Sequence, residues 1–157
     1  MLFRSVSKLS GRAAIQGAMR TEFERAGVWD LLRKRIAVAQ YTRAGDPLRI
    51  DLGYRPNGVI RMFQAVSLEP SSGTGLEAAK ALAFSAPALT AGVERVEKAS
   101  LELTAVVEPL RGVSDLEDEA VERYRFGVEA MERQEIRVVT LSDLARVAET
   151  ARVELRV

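Results

Sequence analysis

LRIDLGYRPNGVIRMFQAVSLE, residues 48–69, consists of two alternating runs on either side of a turn-forming tetrapeptide. In the first run Leu48, Ile50, Leu52 and Tyr54 fall on one side of an extended chain, and Arg49, Asp51 and Gly53 on the other. In the second, Val59, Arg61, Phe63, Ala65 and Ser67 alternate with Ile60, Met62, Gln64, Val66 and Leu68. Arg55-Pro56-Asn57-Gly58 supplies the reversal, because Asn-Gly readily takes the positive φ values of tight hairpin turns. The pattern predicts an antiparallel hairpin over 48–54 and 59–68. Its second strand is partly apolar on both faces, as in a central strand covered by helices on each side. One acid, Asp51, then stands opposite Gln64 near the middle of a sheet.

On the N-terminal side, Ile15, Met19 and Phe23 recur every four residues, with Ser10 as cap and Gly27 as stop, and Trp29, Leu32 and Ile36 suggest a second helix. The turn chemistry of 43–47 then opens the sheet. On the C-terminal side an Ala-rich helix starts at Leu76, with a break or kink expected at Pro87. A strand around 101–107 follows, then a capping box Ser114-x-x-Glu117 before a helix burying Val121, Tyr124, Val128 and Met131. The next elements are a strand over 136–141 and a helix opened by Ser142, with Leu144, Val147, Ala148 and Ala151 inward. The strand–helix–strand unit should pair in parallel with a right-handed crossover. The tail 152–157 alternates strictly and fits either an edge strand or the last helical turns. The fold expected is α/β: a single mixed sheet of four to five strands flanked by helices. A helical segment, 1–45, packs on a core formed by 46–157.

Composition narrows the chemistry. At 157 residues and 47% hydrophobic the chain can bury a core of its own. With no cysteine and no histidine, disulfides, Cys/His zinc sites, thiol nucleophiles and imidazole-based triads are excluded, leaving carboxylates, hydroxyls, lysines or a hard cation. The apolar runs are short and broken by charge, so no membrane span is expected and a cytoplasmic location is. The net charge of +1 conceals segments of +6 (1–45), 0 (46–70) and −5 (71–157). Arg33, Lys34 and Arg35 are the densest basic run and suit a phosphate backbone, although a solvated flank paired with C-terminal acids explains them too.

The order of helices, hairpin, helix, strand, helix, strand, helix resembles the core of the PD-(D/E)XK nuclease-like fold. That resemblance implies a restriction-endonuclease-like outline in which Asp51 takes the place of the motif aspartate and metal ligand, and Gln64 that of its glutamate. Val66 occupies the motif lysine position, with Lys80 on the following helix as a migrated replacement and Glu69 or Glu77 as a second carboxylate. Mg²⁺ would be required only if the chain cleaves nucleic acid; otherwise no cofactor is implied. DLGYRPNGVIRMFQAVSLE together with ELTAVVEPL is also similar to the C-terminal region of a bacterial domain-of-unknown-function family, in which a separate N-terminal domain precedes it. Two functions follow. One is a non-catalytic accessory or interaction domain whose partner is a protein, a missing N-terminal domain or a second copy. The other is a degenerate nuclease-like domain contacting nucleic acid through Arg33, Lys34, Arg35, Arg49 and Arg61, or a weak metal-dependent nuclease. Gly73-Thr74-Gly75 reads as a loop, the carboxylates of 115–122 as a helix start, and Trp29, Phe63 and Phe84 as core aromatics.

Overall fold

A computed structural model describes residues 11–69, 75–110 and 118–157. The first helix, α1 (Gly11–Arg25), buries Ile15, Met19 and Phe23, the stripe their spacing predicts. Gly27, at φ 79°, stops it: its N–H donates to Glu24 O while Val28 N–H reaches back to Phe23 O, and Val28 packs in the same cluster as Phe23. Ser10, Ser114-x-x-Glu117 and Gly73-Thr74 lie outside the described residues.

The second helix expected over Trp29, Leu32 and Ile36 is not formed. A 3-10 turn, Trp29–Leu31, leads into strand β1 (Arg33–Ala37) at the edge of the sheet. The three- and four-residue steps of Trp29, Leu32 and Ile36 normally argue for a helix, because an odd step crosses to the other face of a strand, but here the strand itself changes face. Arg35 takes φ 51°, and on either side of it Leu32 packs toward α1 while Ile36 packs in the opposite layer.

Strands β2 (Arg49–Tyr54), β3 (Val59–Ala65), β4 (Ser100–Val107) and β5 (Arg137–Thr140) complete a five-stranded sheet in sequential order. β1, β2 and β3 form an antiparallel meander, and β4 and β5 continue in parallel from β3. The α/β class with a single mixed sheet is therefore as expected. Helices α2 (Gly75–Glu97) and α3 (Asp118–Glu132) cover one face, α1 and α4 (Leu144–Leu155) the other. No described helix is long and apolar enough to cross a membrane.

β3 alternates as read, with Ile60 and Met62 toward α2 and α3 and Phe63 and Ala65 toward α1 and α4. β2 does not. Ile50 joins the first layer while Leu52 and Tyr54 join the second, so the face changes at Asp51, directly across from the change at Arg35. The hairpin also turns without positive φ at Asn57 or Gly58. Instead Asn57 Oδ1 accepts the Val59 N–H at 3.1 Å, and Ser100 N–H donates to Gly58 O at 3.0 Å, tying the turn to the start of β4.

Three further differences concern helices. α2 runs unbroken through Pro87. The proline is solvent-exposed, where the carbonyl it frees can reach water, while Leu82, Ala86, Leu89 and Val93 are buried. At roughly 1.5–3 kcal/mol for each large side chain, that burial exceeds the ~3 kcal/mol cost of an interior proline. A 3-10 turn, Leu141–Asp143, leads into the last helix, and Thr140 rather than Ser142 caps that turn, through a capping box with Asp143. The tail is helical as far as Leu155, and Arg156 closes it in the left-handed conformation.

Candidate functional site

The β2–β3 ladder pairs Tyr54 with Arg61, Gly53 with Met62 and Leu52 with Phe63, so Asp51 and Gln64 would be the next pair. There the side chains take over the bonding. Gln64 Oε1 accepts the Asp51 N–H at 2.8 Å and its Nε2 donates to Arg49 O at 3.2 Å, so the amide acts as an extra peptide group between the strands. Asp51 Oδ2 in turn accepts the Ala65 N–H at 2.8 Å. With Gln64 buried, these bonds satisfy backbone groups that would otherwise be orphaned where the sheet changes face.

From α1, Arg12 grips the same carboxylate. Its Nη2 donates to Asp51 Oδ1 at 2.7 Å, and its Nη1 donates both to Asp51 Oδ2 and to Ala65 O at 2.9 Å. Gln16 Nε2, one turn later, adds a bond to Oδ1 at 2.9 Å. Each carboxylate oxygen therefore accepts two bonds.

Beside Asp51 a groove of about 370 Å³ opens between α1 and β1, with Met19 and Leu52 contributing apolar surface. Trp29 forms part of its wall, with the Arg20 guanidinium 5.0 Å and the Lys34 ammonium 4.7 Å from the indole ring. Arg35 completes the basic rim. Arg20 is paired with Glu24 at 2.9 Å, but among the described residues no carboxylate lies within ion-pair distance of Lys34 or Arg35. Lys34 Nζ instead donates to Trp29 O at 2.6 Å.

The five arginines and lysines expected to contact phosphate do not form one patch. Lys34 and Arg35 meet at the groove, and Arg49 is joined to that edge by a bond to Arg35 O at 3.2 Å. Arg33 is drawn to Glu97 at 3.6 Å. Arg61 is held by Glu102 at 2.6 Å and Glu154 at 2.8 Å. Of the three residues at the nuclease-like motif, Asp51 and Gln64 are adjacent. Lys80 sits on α2, beneath the opposite face of the sheet from α1, with its ammonium 5.8 Å from the Phe126 ring, so the fold does not bring it to Asp51. Phe63 is buried, Trp29 lines the groove, and Phe84, expected in the core, is 87% exposed. Arg12, Gln16 and Arg20 do not stand out in the sequence as site residues. Their signal was a polar stripe at every fourth position, running beside the apolar stripe Ile15, Met19 and Phe23.

A Mg²⁺ site needs free carboxylate oxygen in near-octahedral geometry. Both Asp51 oxygens are already engaged, and the Gln64 carbonyl is turned to the Asp51 N–H. Among the described residues no group of three or more aspartate, glutamate, histidine or cysteine side chains is placed to hold a metal. The residues at this position do not fit the ion. Compared with known proteins, the chain matches no family model, no curated protein and no solved structure.

Proposed function

We propose that the chain is a non-catalytic binding domain that holds a single-stranded nucleic-acid segment in the groove between α1 and β1. The observation that carries this reading is the convergence of Lys34 and Arg20 on the Trp29 ring, with Arg35 lining the same apolar-walled groove. Cations on the rim attract phosphate and the indole offers a stacking surface that any base can use. The order of one helix, an antiparallel meander, a helix and a parallel strand supports the nuclease-like resemblance, while the use of Asp51 to bond Arg12 and Ala65 supports binding without cleavage.

Trp29 is the only tryptophan, so its fluorescence reports on the groove directly. Titration with a single-stranded oligonucleotide should quench the emission, with affinity falling steeply as salt rises. Lys34→Ala and Arg35→Ala should each weaken binding irrespective of sequence and reduce the log–log salt slope by about one phosphate contact. Trp29→Ala, followed by anisotropy of a labelled oligonucleotide, should cost about 1–3 kcal/mol of binding. No binding at low salt, or binding indifferent to all three substitutions, refutes the assignment.

A second reading rests on the opposite face. Phe84 on α2 is 87% exposed and Phe126 on α3 is 52% exposed, while Lys80, one turn before Phe84, lies over the Phe126 ring. An aromatic surface of this kind suits self-association. If the chain uses it, sedimentation should show a concentration-dependent dimer that Phe84→Glu abolishes; a monomer at all concentrations removes this reading.

A further inference from the structure

Gln16, on α1, is exposed and lines the groove beside Asp51. The carboxylate of Asp51 only accepts, so the end of the Gln16 amide that meets Oδ1 at 2.9 Å is Nε2, and Oε1 is left on the other side. Among the described residues no donor reaches Oε1, and the bond from Nε2 to a carboxylate polarises the amide and strengthens Oε1 as an acceptor. Arg20, Lys34 and Arg35 only donate, and both Asp51 oxygens already accept two bonds, so Oε1 is the one uncharged side-chain oxygen in the lining. Next to it, Gly17 stands inside α1, where glycine weakens a helix relative to alanine. No positive φ requires it, and a Cβ there would meet nothing within 4 Å, so neither backbone geometry nor packing accounts for it. It lines the same groove, and bare backbone on a wall is what a ligand lying close to it needs.

We infer that α1 reads the base held in the groove: Gly17 lets a flat ring lie against the helix backbone, and Gln16 Oε1 accepts a hydrogen bond from the exocyclic amino group of that ring, so that cytosine or adenine is preferred to uracil or thymine. The inference deepens the single-strand reading of the groove and rests on it. Cytosine and adenine carry an amino group at one end of the pairing edge, where it reaches an acceptor without bringing a carbonyl on each side. Uracil and thymine have a single donor there, N3–H, flanked by two carbonyl oxygens. Presenting that proton to Oε1 turns both oxygens to a wall on which the neighbouring Asp51 is itself an acceptor. The cations of the rim serve phosphate and are indifferent to the base, so discrimination falls to the uncharged acceptor on α1.

The test uses the full chain and two single-stranded deoxyoligonucleotides of equal length, all-cytosine and all-uracil, which differ only at this edge, above neutral pH where cytosine is unprotonated. Trp29 quenching and anisotropy of the labelled strand report binding. Wild type should hold the cytosine strand about fivefold more tightly, the size of one net hydrogen bond. Gln16→Met keeps an unbranched helix-forming side chain and leaves Asp51 bonded to Arg12 and to the Ala65 N–H, so the variant should fold and should abolish the ratio by weakening the cytosine complex. A purely structural role for Gln16 would weaken both complexes alike. Gly17→Ala should raise the thermal midpoint yet weaken the cytosine complex by about fivefold or more, because the added methyl fills the space of the ring. Equal affinity of wild type for the two strands, a ratio that survives Gln16→Met, or a Gly17→Ala variant that binds as tightly as wild type overturns the inference, while quenching by both strands leaves the groove reading intact. If neither strand binds, the groove reading fails and the inference fails with it.

Discussion

Gly92→Ala is expected to destabilise the domain by about 3 kcal/mol, lowering the thermal midpoint by roughly 10 °C, although alanine is favoured over glycine inside a helix by ~1 kcal/mol. The reversal of sign comes from tertiary packing. A Cβ at position 92 would fall on the carbonyl oxygen of Tyr41, 2.7 Å from its carbonyl carbon and 2.9 Å from its Cβ. The obstacle is backbone in the β1–β2 connection, which cannot swing aside as a flexible side chain would. That connection is fixed from α2 itself: Arg95 Nη2 donates to Tyr41 O at 2.9 Å, and the Tyr41 hydroxyl donates to Glu97 at 2.6 Å. Burial first, and then the bond to Glu97, push the Tyr41 phenol up to about 12. Urea denaturation decides the point, since an unchanged or increased midpoint in Gly92→Ala would show that α2 does not seat against Tyr41.

Arg61→Ala should cost a similar amount, about 3 kcal/mol, the lower end of the range for breaking a buried ion pair because the site keeps some solvent. Arg61 donates to Glu154 through Nε and Nη2 at 2.8 Å each and to Glu102 through Nη1 at 2.6 Å, joining β3 to the last turns of α4 and to β4. Tyr54 OH donates to the same Glu154 at 2.6 Å. The side chains of Arg61 and Glu154 are only 22% and 23% exposed. Removing the guanidinium therefore leaves a carboxylate in a poorly solvated site with a single donor.

The bonds from Arg61, ahead of those from Tyr54 and against the opposing effect of burial, hold the Glu154 carboxyl below its ordinary value of 4.5. A lowered native value means that this contribution is complete above about pH 4.5 and is lost as pH falls through the lowered value. The stability gap between wild type and Arg61→Ala should accordingly be widest near neutrality and narrow in acid. Denaturation midpoints at pH 7 and pH 3 test this. A gap that stays constant would mean Arg61 acts through packing of its stem, not through its charge.

The same contrast between local pattern and tertiary context separates what was legible in the residues from what was not. Periodicity alone placed α1 on Ile15, Met19 and Phe23, the β2–β3 hairpin, the two faces of β3 and the inward stripe of α4. Each of these is long enough, or regular enough, for burial of one face to dominate the choice of conformation. Pro87 misled because a propensity is a local average: a helix whose other side is buried over several turns tolerates one exposed proline. Residues 29–37 misled because the spacing of Leu32 and Ile36 assumed uniform geometry, and Arg35 breaks that uniformity at a single φ.

At the candidate site, the sequence by itself determined that Asp51 and Gln64 would be neighbours, since the short turn expected at Asn57-Gly58 sets the register of the hairpin. Which groups they bond was decided only by the tertiary structure. Asp51 and Arg12 are 39 positions apart, and nothing in the spacing of either element says that α1 will cross the sheet where β2 changes face. Position in the chain could not show which cations keep a carboxylate partner and which do not. Arg33 and Arg61 are neutralised by Glu97 and by Glu102 and Glu154, acids far away in sequence, while Lys34 and Arg35 point into the groove. Charge pairing depends on distance through space, which falls off over a few ångströms and is fixed only once the helices have docked on the sheet.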